Sequence, residues 1–236
     1  AGTSRGVYNT RLSFYLKLTS DEQPDVVGVG ECTTLPDLSC DAMPPNDYAR
    51  KLRTFCDEYE RTGVIDYEAM RAYPSMLFGL ETAVAQFNAK GSLNFFDTPF
   101  GRGEEGIPIN GLVWMGTFKE MFERLEAKLK AGFRCIKIKI GAIDFDQELQ
   151  LIRHIRSTFS RKDVELRVDA NGGFTPEEAL SRMKALVQYD IHSIEQPIKQ
   201  HQWTEMARLC AATPLPIGLD EELIGVNERQ KKIELL

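Results

Sequence analysis

The sequence lacks an excess of basic residues and lacks any apolar run long enough for a membrane helix. Its 29 Lys and Arg against 35 Asp and Glu give a formal net charge of −6, which argues against a nucleic-acid or anionic-membrane partner, because phosphate binding needs clustered positive charge. No run approaches the roughly 20 apolar residues of a membrane span, and no signal peptide opens the sequence. We therefore expect a cytoplasmic protein without nucleic-acid or membrane partners.

Paired cysteines and nucleotide-binding motifs are also missing. The 5 cysteines are odd in number and include no Cys-x-x-Cys pair, which favours reduced thiols over a disulfide framework or a zinc site. Neither a GxGxxG motif after the first strand nor a GxxxxGK[ST] motif is present. What remains is ordinary for a globular protein: 42% hydrophobic and 27% charged residues.

The pattern of predicted elements changes near residue 100. The elements predicted before this point are strands over 7–18 and 26–30 and helices over 46–60 and 74–90. A Pro/Gly-rich connector, 97–106, follows them. The sequence therefore predicts an α+β domain over residues 1–100 and a second domain over 101–236.

Five strand–helix units follow the connector. The predicted strands cover 107–115, 134–140, 164–170, 191–197 and 214–220. Such a repeat predicts a parallel sheet. The spacing of about 25–30 residues between strands favours a TIM-type barrel, in which active sites lie at the carboxyl ends of the strands. A doubly wound open sheet is the alternative.

An acidic residue stands at the end of each of the last three predicted strands. Asp169 in VDAN, Glu195 in IEQP and Asp220 in GLDEE lie 26 and 25 residues apart (195 − 169 and 220 − 195), which is one strand–helix repeat each time. In a barrel this spacing brings the three carboxylates toward one point. Carboxylates that stay ionised at such a point usually surround a hard divalent cation, so the sequence predicts a metal site.

Each of these acids also has an explanation that needs no metal. The explanations are a turn signal for Asp169, a strand-end cap for Glu195 and a solvated acidic cluster for Asp220, which Glu221 and Glu222 follow. The spacing alone leaves open which carboxylate of 220–222 binds a metal. The three acids together indicate a site more strongly than any one of them.

The second strand of the repeat carries two lysines. Lys137 and Lys139 are two residues apart and project to the same face. In one interpretation they face solvent, and Ile136, Ile138 and Ile140 face the core. In the other, two ammonium groups lie near a metal, where mutual repulsion and the cation favour a neutral amine that can act as a general base.

Four motifs resemble the enolase superfamily in its muconate-lactonizing subgroup. They are KIKIG at 137–141, VDANGG at 168–173, IEQP at 194–197 and LDEE at 219–222. Within the subgroup the chain is most similar to the o-succinylbenzoate synthase family, through AGTSRG at 1–6, GVGECTTLPDLS at 28–39 and PINGLVWMG at 108–116. The resemblance covers essentially the whole chain. It implies an α/β fold, with an N-terminal α+β capping domain and a (β/α)7β TIM-type barrel of which about five units are present.

The resemblance also implies a role for each candidate residue. Asp169, Glu195 and Asp220 would bind one Mg²⁺, Lys139 would abstract the proton α to a substrate carboxylate, and Lys137 would be its electrostatic partner. A lysine base acting with Mg²⁺ is the arrangement of this superfamily. The metal is needed because an α-proton is too weakly acidic for an amine to remove it unless the negative charge that develops on the substrate is neutralised.

Further implications concern the surroundings and the reaction. Arg167 and Asn171 would neighbour the substrate or the metal ligands, and residues 31–40 would form a loop over the site. Proton abstraction from a cyclohexadiene carboxylate and loss of water would give o-succinylbenzoate on the route to menaquinone. A dipeptide epimerase, an N-acylamino acid racemase and a non-catalytic binding or structural protein with the same fold are the alternatives.

The family has one more lysine that this sequence does not show. It is expected at the end of the sixth barrel strand, whereas the sequence ends at Leu236 in the fifth predicted helix, and Lys231 and Lys232 lie on that helix. Either the sequence is part of a longer protein or it is truncated, and in the second case we expect residues 1–236 alone to bind metal weakly and to show no turnover.

Overall fold

The structure, a computed structural model, describes residues 2–3, 6–7 and 9–235. Contacts divide it into two compact units. One unit contains residues 108–223 with the described residues before 9, and the other contains residues 9–107 with residues from 224 onward. The division predicted at residues 100 and 101 stays a prediction. Part of the AGTSRG motif and residue 8 of the strand predicted over 7–18 lie outside the described residues.

The unit of residues 9–107 is an antiparallel strand pair packed against helices. Its elements, numbered after the short strands β1 (Gly2–Thr3) and β2 (Gly6–Val7) of the other unit, are β3 (Ser13–Ser20), β4 (Gln23–Thr33), α1 (Pro45–Thr62), α2 (Tyr67–Met70) and α3 (Pro74–Asn88). Helix α3 packs closely on β4, since a Cβ on Gly30 would lie 1.8 Å from the carbonyl oxygen of Gly79. Helix α1 begins at Pro45, one residue before the predicted start, and has no side-chain cap.

The unit of residues 108–223 contains five parallel strands, which confirms the predicted sheet. The strands are β5 (Gly111–Val113), β6 (Cys135–Lys139), β7 (Glu165–Asp169), β8 (Ile191–Glu195) and β9 (Ile217–Gly218). They pair in the order β5-β6-β7-β8-β9. Sequential order is the order of a barrel, whereas a doubly wound sheet reverses its order at a switch point. The alternative of a doubly wound sheet is therefore wrong.

Helices cover one face of this sheet. They are α4 (Phe118–Lys130), α5 (Phe145–Thr158), α6 (Pro176–Val187) and α7 (Trp203–Ala212); a 3₁₀ turn at Glu221–Leu223 and α8 (Arg229–Glu234) follow. Helix α6 begins with a reciprocal capping box between Thr175 and Glu178. The core between sheet and helices includes Ile136 and Ile138 of β6, both fully buried. No helix in the described part of the chain is both long and apolar enough to cross a membrane.

The first and last parallel strands are shorter than predicted. The sequence predicts 107–115 and 214–220, but β5 spans Gly111–Val113 and β9 spans Ile217–Gly218. Pro108 lies in the first predicted range, and Pro214 and Pro216 lie in the second. Proline cannot donate to the ladder, so pairing begins after these residues.

Candidate active site

Strand register places the candidate residues in one row. Lys139 of β6 pairs with Asp169 of β7, and Asp169 pairs with Glu195 of β8. Glu195 in turn pairs with Gly218 of β9, two residues before Asp220. Because side chains alternate along a strand, paired residues in neighbouring strands project to the same face. The carboxyl ends of four strands thus bring the predicted residues together.

Three carboxylates converge at this edge of the sheet. Asp169, Glu195 and Asp220 each offer one oxygen, and these oxygens lie within 4.8 Å of one another. Asp169 is fully buried, Glu195 is half-buried, and Asp220 is the most exposed of the three, although its carboxyl group is partly covered. An all-oxygen set of carboxylates is the donor chemistry that Mg²⁺ prefers. The residues therefore fit the predicted metal.

The two acidic residues after Asp220 accept hydrogen bonds from other residues. Glu222 accepts hydrogen bonds from the backbone N–H of His201 at 3.1 Å and from the indole Nε1 of Trp203 at 2.5 Å. Glu221 accepts one from Nδ2 of Asn171 at 3.0 Å. Of the three consecutive acids, the geometry thus favours Asp220 as the ligand, a choice that the spacing leaves open.

Both lysines lie against the carboxylates. Nζ of Lys137 is 2.7 Å from Oδ2 of Asp169 and 2.7 Å from Oε1 of Glu195. Nζ of Lys139 is 2.5 Å from Oδ2 of Asp169, and only 8% of Lys139 is exposed. The interpretation with both lysines in solvent is therefore not what the structure shows. Their catalytic roles stay predictions.

The ion pairs set the protonation of the site. Burial acts to lower the pKa of Lys137, but hydrogen bonds with Asp169 and Glu195 outweigh it and hold this pKa above its ordinary value. Burial also acts to raise the pKa of Asp169, yet Lys137 and Lys139 together bring that pKa below its ordinary value. The carboxylate contacts thus keep Lys137 charged, in contrast to the neutral amine considered from the sequence.

The other two carboxylates resist ionisation. Burial, followed by the neighbouring Asp169, raises the pKa of Glu195, although Lys137 acts against this rise. Burial, then the negative charges of Glu221 and Asp169, raises the pKa of Asp220. Three carboxylates face only two ammonium groups here. A divalent cation is the kind of charge that would relieve this repulsion.

Arg167 and Asn171 have different surroundings. Arg167 pairs in register with Lys137 and lies two residues before Asp169 on the same strand. Its Nε donates to Oε1 of Glu165 at 2.7 Å. Asn171 has a backbone φ of 44° and donates its backbone N–H to Oδ1 of Asp169 at 3.0 Å. The structure therefore brings Asn171 to the carboxylates, whereas Arg167 is bound in an ion pair farther down the strand.

Trp114 is a site neighbour that the sequence interpretation missed. Its ring centroid lies 5.5 Å from Nζ of Lys139. The loop after β5 is fixed by Arg124, which donates to the carbonyl oxygens of Trp114 at 3.0 Å and Met115 at 2.8 Å. A signal was available, because Trp114 directly follows a strand of the repeat. The indole supplies an apolar wall beside the lysine amine.

Glu148 is a second missed residue. Its buried carboxylate oxygen Oε1 accepts the backbone N–H groups of Gly141, Ala142 and Ile143 at 2.6, 3.2 and 3.4 Å. These residues form the loop directly after the strand that carries Lys139. Nothing in the sequence distinguishes this glutamate from a solvated one in the first turns of a helix. The loop depends on Glu148 because no helix or ladder bond satisfies those N–H groups otherwise.

We expect Glu148→Ala to lower the free energy of unfolding by about 1–3 kcal/mol, because three backbone N–H groups of the loop lose their buried acceptor. Glu148→Gln is expected to lose less, since its carbonyl oxygen can accept the same bonds. Urea denaturation measures both, with the exposed Glu177 changed to alanine as the control for a first-turn acid. Equal effects of Glu148→Ala and Glu177→Ala would show that the loop does not depend on this carboxylate.

The fold and the site together define a parallel-sheet α/β protein with a cluster of three carboxylates that could hold a metal ion, and a lysine pair. Residues 120–235 match the family described as Enolase C-terminal domain-like. The chain is 41% identical over 266 aligned residues to an o-succinylbenzoate synthase of Desulfotalea psychrophila. The alignment covers 100% of this chain and 71% of that protein. The chain belongs to the enolase superfamily.

Solved structures agree with this assignment. A crystal structure of MenC from Desulfotalea psychrophila LSv54 has a TM-score of 0.76 and 39% identity, and the match covers 95% of this chain and 70% of that one. The o-succinylbenzoate synthase of Thermosynechococcus elongatus BP-1, with Mg in its active site, has a TM-score of 0.71 and 24% identity, covering 93% of this chain and 63% of that one. The predicted fold class, a capping domain with part of a TIM-type barrel, is confirmed.

Enzymes with a different activity also match. An L-Ala-D/L-Glu epimerase of Francisella tularensis subsp. novicida is 28% identical over 121 residues, which covers 50% of this chain and 33% of that protein. Superfamily membership alone therefore does not select one reaction.

Proposed function

We propose that the protein is a Mg²⁺-dependent o-succinylbenzoate synthase, a carbon–oxygen lyase that removes a proton α to a carboxylate and eliminates water. The observation that carries this proposal is the row of Lys139, Asp169 and Glu195 across three neighbouring strands. The 41% identity to the Desulfotalea psychrophila synthase over the whole chain supports this reaction above others. The proposed partner is a small-molecule carboxylate, and a cytoplasmic location stays a prediction.

The metal ligands proposed are Asp169, Glu195 and Asp220. When bound, Mg²⁺ supplies positive charge for the negative charge that develops on the substrate carboxylate. Because oxygens of all three residues lie within 4.8 Å of one another, the protein brings these charges together before binding.

Lys139 is the proposed base. In its amine form it takes the α-proton: the substrate C–H bond breaks, an N–H bond forms at Nζ, and the electron pair stays on the substrate. The carbon–oxygen bond to the β-hydroxyl group then breaks as the electron pair forms the new double bond, and the protonated Lys139 returns its proton to the departing hydroxyl, which leaves as water. Lys137 adds a second positive charge beside Glu195 and Asp169, and the Trp114 ring limits access of water to the Lys139 amine.

An epimerase is the second candidate, because the epimerase match covers half of this chain. Epimerisation begins with the same proton abstraction, but the proton is returned and nothing is eliminated. A binding or structural protein that retains the fold remains a third candidate from a different functional class.

An assay in D₂O with Mg²⁺ separates these candidates. The protein is incubated with the cyclohexadiene carboxylate or with L-Ala-L-Glu, and product formation and deuterium uptake at the α-carbon are measured. We expect loss of water from the first substrate and no exchange in the second. Exchange in the dipeptide without elimination would favour the epimerase, and inactivity on both would favour a binding protein. The same assay on residues 1–236 alone tests the expectation of no turnover.

A further inference from the structure

Gln196 directly follows the proposed ligand Glu195 and is completely buried. Its backbone φ is 40°, in the left-handed region that residues other than glycine seldom adopt. Such a conformation persists only where the surroundings determine it strongly. The sequence motif IEQP contains this residue, but its spacing assigns no role to it.

The side-chain amide of Gln196 joins two strand ends. Its Oε1 accepts the backbone N–H groups of Asp220 at 3.0 Å and Glu222 at 3.2 Å. Its Nε2 donates to the carbonyl oxygen of Ile198 at 3.0 Å. The amide oxygen thus binds the turn that carries Asp220, and the amide nitrogen fixes the side chain to the segment after β8.

The backbone of Gln196 adds two more links. Its N–H donates to the carbonyl oxygen of Gly218 at 2.9 Å, and its carbonyl oxygen accepts the N–H of Gly172 at 2.7 Å. Gly172 lies three residues after Asp169 and Gly218 lies two residues before Asp220. One residue therefore connects the chain segments of all three carboxylates.

We propose that Gln196 is a positioning residue that fixes the three carboxylates of the metal site at their mutual separation before an ion binds. This inference rests on the proposed function and deepens it. The turn that carries Asp220 needs such support, because β9 joins the sheet through only two residue pairs, Ile194 with Ile217 and Glu195 with Gly218.

Glutamine suits this position for a chemical reason. A carbonyl oxygen has two lone pairs and accepts both N–H groups, while the amide nitrogen donates in the opposite direction. A glutamate would add another negative charge beside three carboxylates and would place an oxygen against the carbonyl of Ile198. An apolar residue of similar size would leave the N–H groups of Asp220 and Glu222 without this acceptor.

The test compares Gln196→Leu with Gln86→Leu. Gln86 makes the same kind of link in the other unit: Oε1 accepts the N–H of Val29 at 2.8 Å, and Nε2 donates to the carbonyl oxygen of Gly91 at 3.1 Å. Both variants lose a two-sided amide link, so both are expected to melt at a lower temperature without metal. Only Gln196→Leu is expected to bind Mn²⁺ and Mg²⁺ more weakly, by about 10–100-fold, as for other residues that orient metal ligands.

Mn²⁺ titration followed by electron paramagnetic resonance, with Mg²⁺ competition, measures these affinities. An unchanged affinity in Gln196→Leu, or an equal loss in Gln86→Leu, overturns the positioning role. Failure of the unsubstituted protein to bind either ion instead contradicts the proposed metal site. The two failures are therefore distinguishable.

Amide hydrogen exchange of the unsubstituted protein covers the case in which Gln196→Leu does not fold or no ion binds. Without metal, the N–H groups of Asp220 and Glu222 are expected to exchange slowly, because Gln196 accepts both. Exchange as fast as in an exposed loop means that the turn is not fixed before binding, and the inference is then wrong.

Discussion

Lys139→Ala is expected to reduce kcat by about 10²–10⁴-fold, the usual contribution of a positioned general base. Nζ of Lys139 is 2.5 Å from Asp169 and lies beside the Trp114 ring, at the edge of the proposed metal site. Among the residues that the structure describes, no other amine takes this place, since Lys137 is bound between Asp169 and Glu195. The variant keeps all three carboxylates and loses one positive charge, so its Mg²⁺ affinity is expected to stay equal or to rise.

Lys139→Arg separates the base from the charge. Arginine keeps the positive charge but stays protonated at all accessible pH values, so it cannot take a proton. We expect this variant to be as inactive as Lys139→Ala. The measurements are kcat and the rate of α-proton exchange in D₂O, with the exposed Lys184 changed to alanine as the control. Substantial exchange in Lys139→Arg would falsify the assignment of Lys139 as the base.

The sequence predicts the positions of the site residues because those positions follow from periodicity. Asp169, Glu195 and Asp220 recur once per strand–helix unit, and parallel strands bring equivalent ends to one edge. Lys137 and Lys139 share a face because the period of a strand is two. The positions of these residues can therefore be predicted from the regular geometry of strands.

Other parts of the site depend on contacts between residues far apart in the sequence. Asp220 is favoured over Glu222 as a metal ligand because His201 and Trp203 donate hydrogen bonds to Glu222. No spacing rule relates those residues to Glu222. The sequence likewise cannot show that Glu148 turns back to the loop before its own helix, because an exposed glutamate at the same helix position has the same local pattern.

Strand ends and unit boundaries are also set beyond the local pattern. Apolar residues near Pro214 and Pro216 predict a strand over 214–220, but the prolines have no N–H to donate and β9 begins only at Ile217. Residues 224–235 belong to the same compact unit as residues 9–107, whereas the strands that precede them belong to the other unit. Asn227, for example, donates its side-chain amide to the carbonyl oxygen of Arg71 at 2.9 Å.

Asp169→Ala and Asp220→Ala are both expected to weaken Mg²⁺ binding strongly but to change stability in different ways. Asp169 is fully buried and accepts hydrogen bonds from both lysines. Its removal leaves the buried Lys139 without this partner, while Lys137 keeps Glu195, and breaking a buried ion pair costs about 3–5 kcal/mol. We therefore expect the metal-free Asp169→Ala protein to be strongly destabilised.

Asp220→Ala is expected to leave the free energy of unfolding at pH 7 unchanged or to raise it. Burial and the charges of Glu221 and Asp169 raise the pKa of Asp220 in the folded state. A carboxyl group with a raised folded-state pKa favours folding in its protonated form, so its ionisation destabilises the protein as the pH rises through that pKa. Alanine removes this unfavourable charge. Urea denaturation at pH 7 with and without Mg²⁺ measures both variants, and a loss of stability in Asp220→Ala equal to that in Asp169→Ala would contradict the different environments of the two carboxylates.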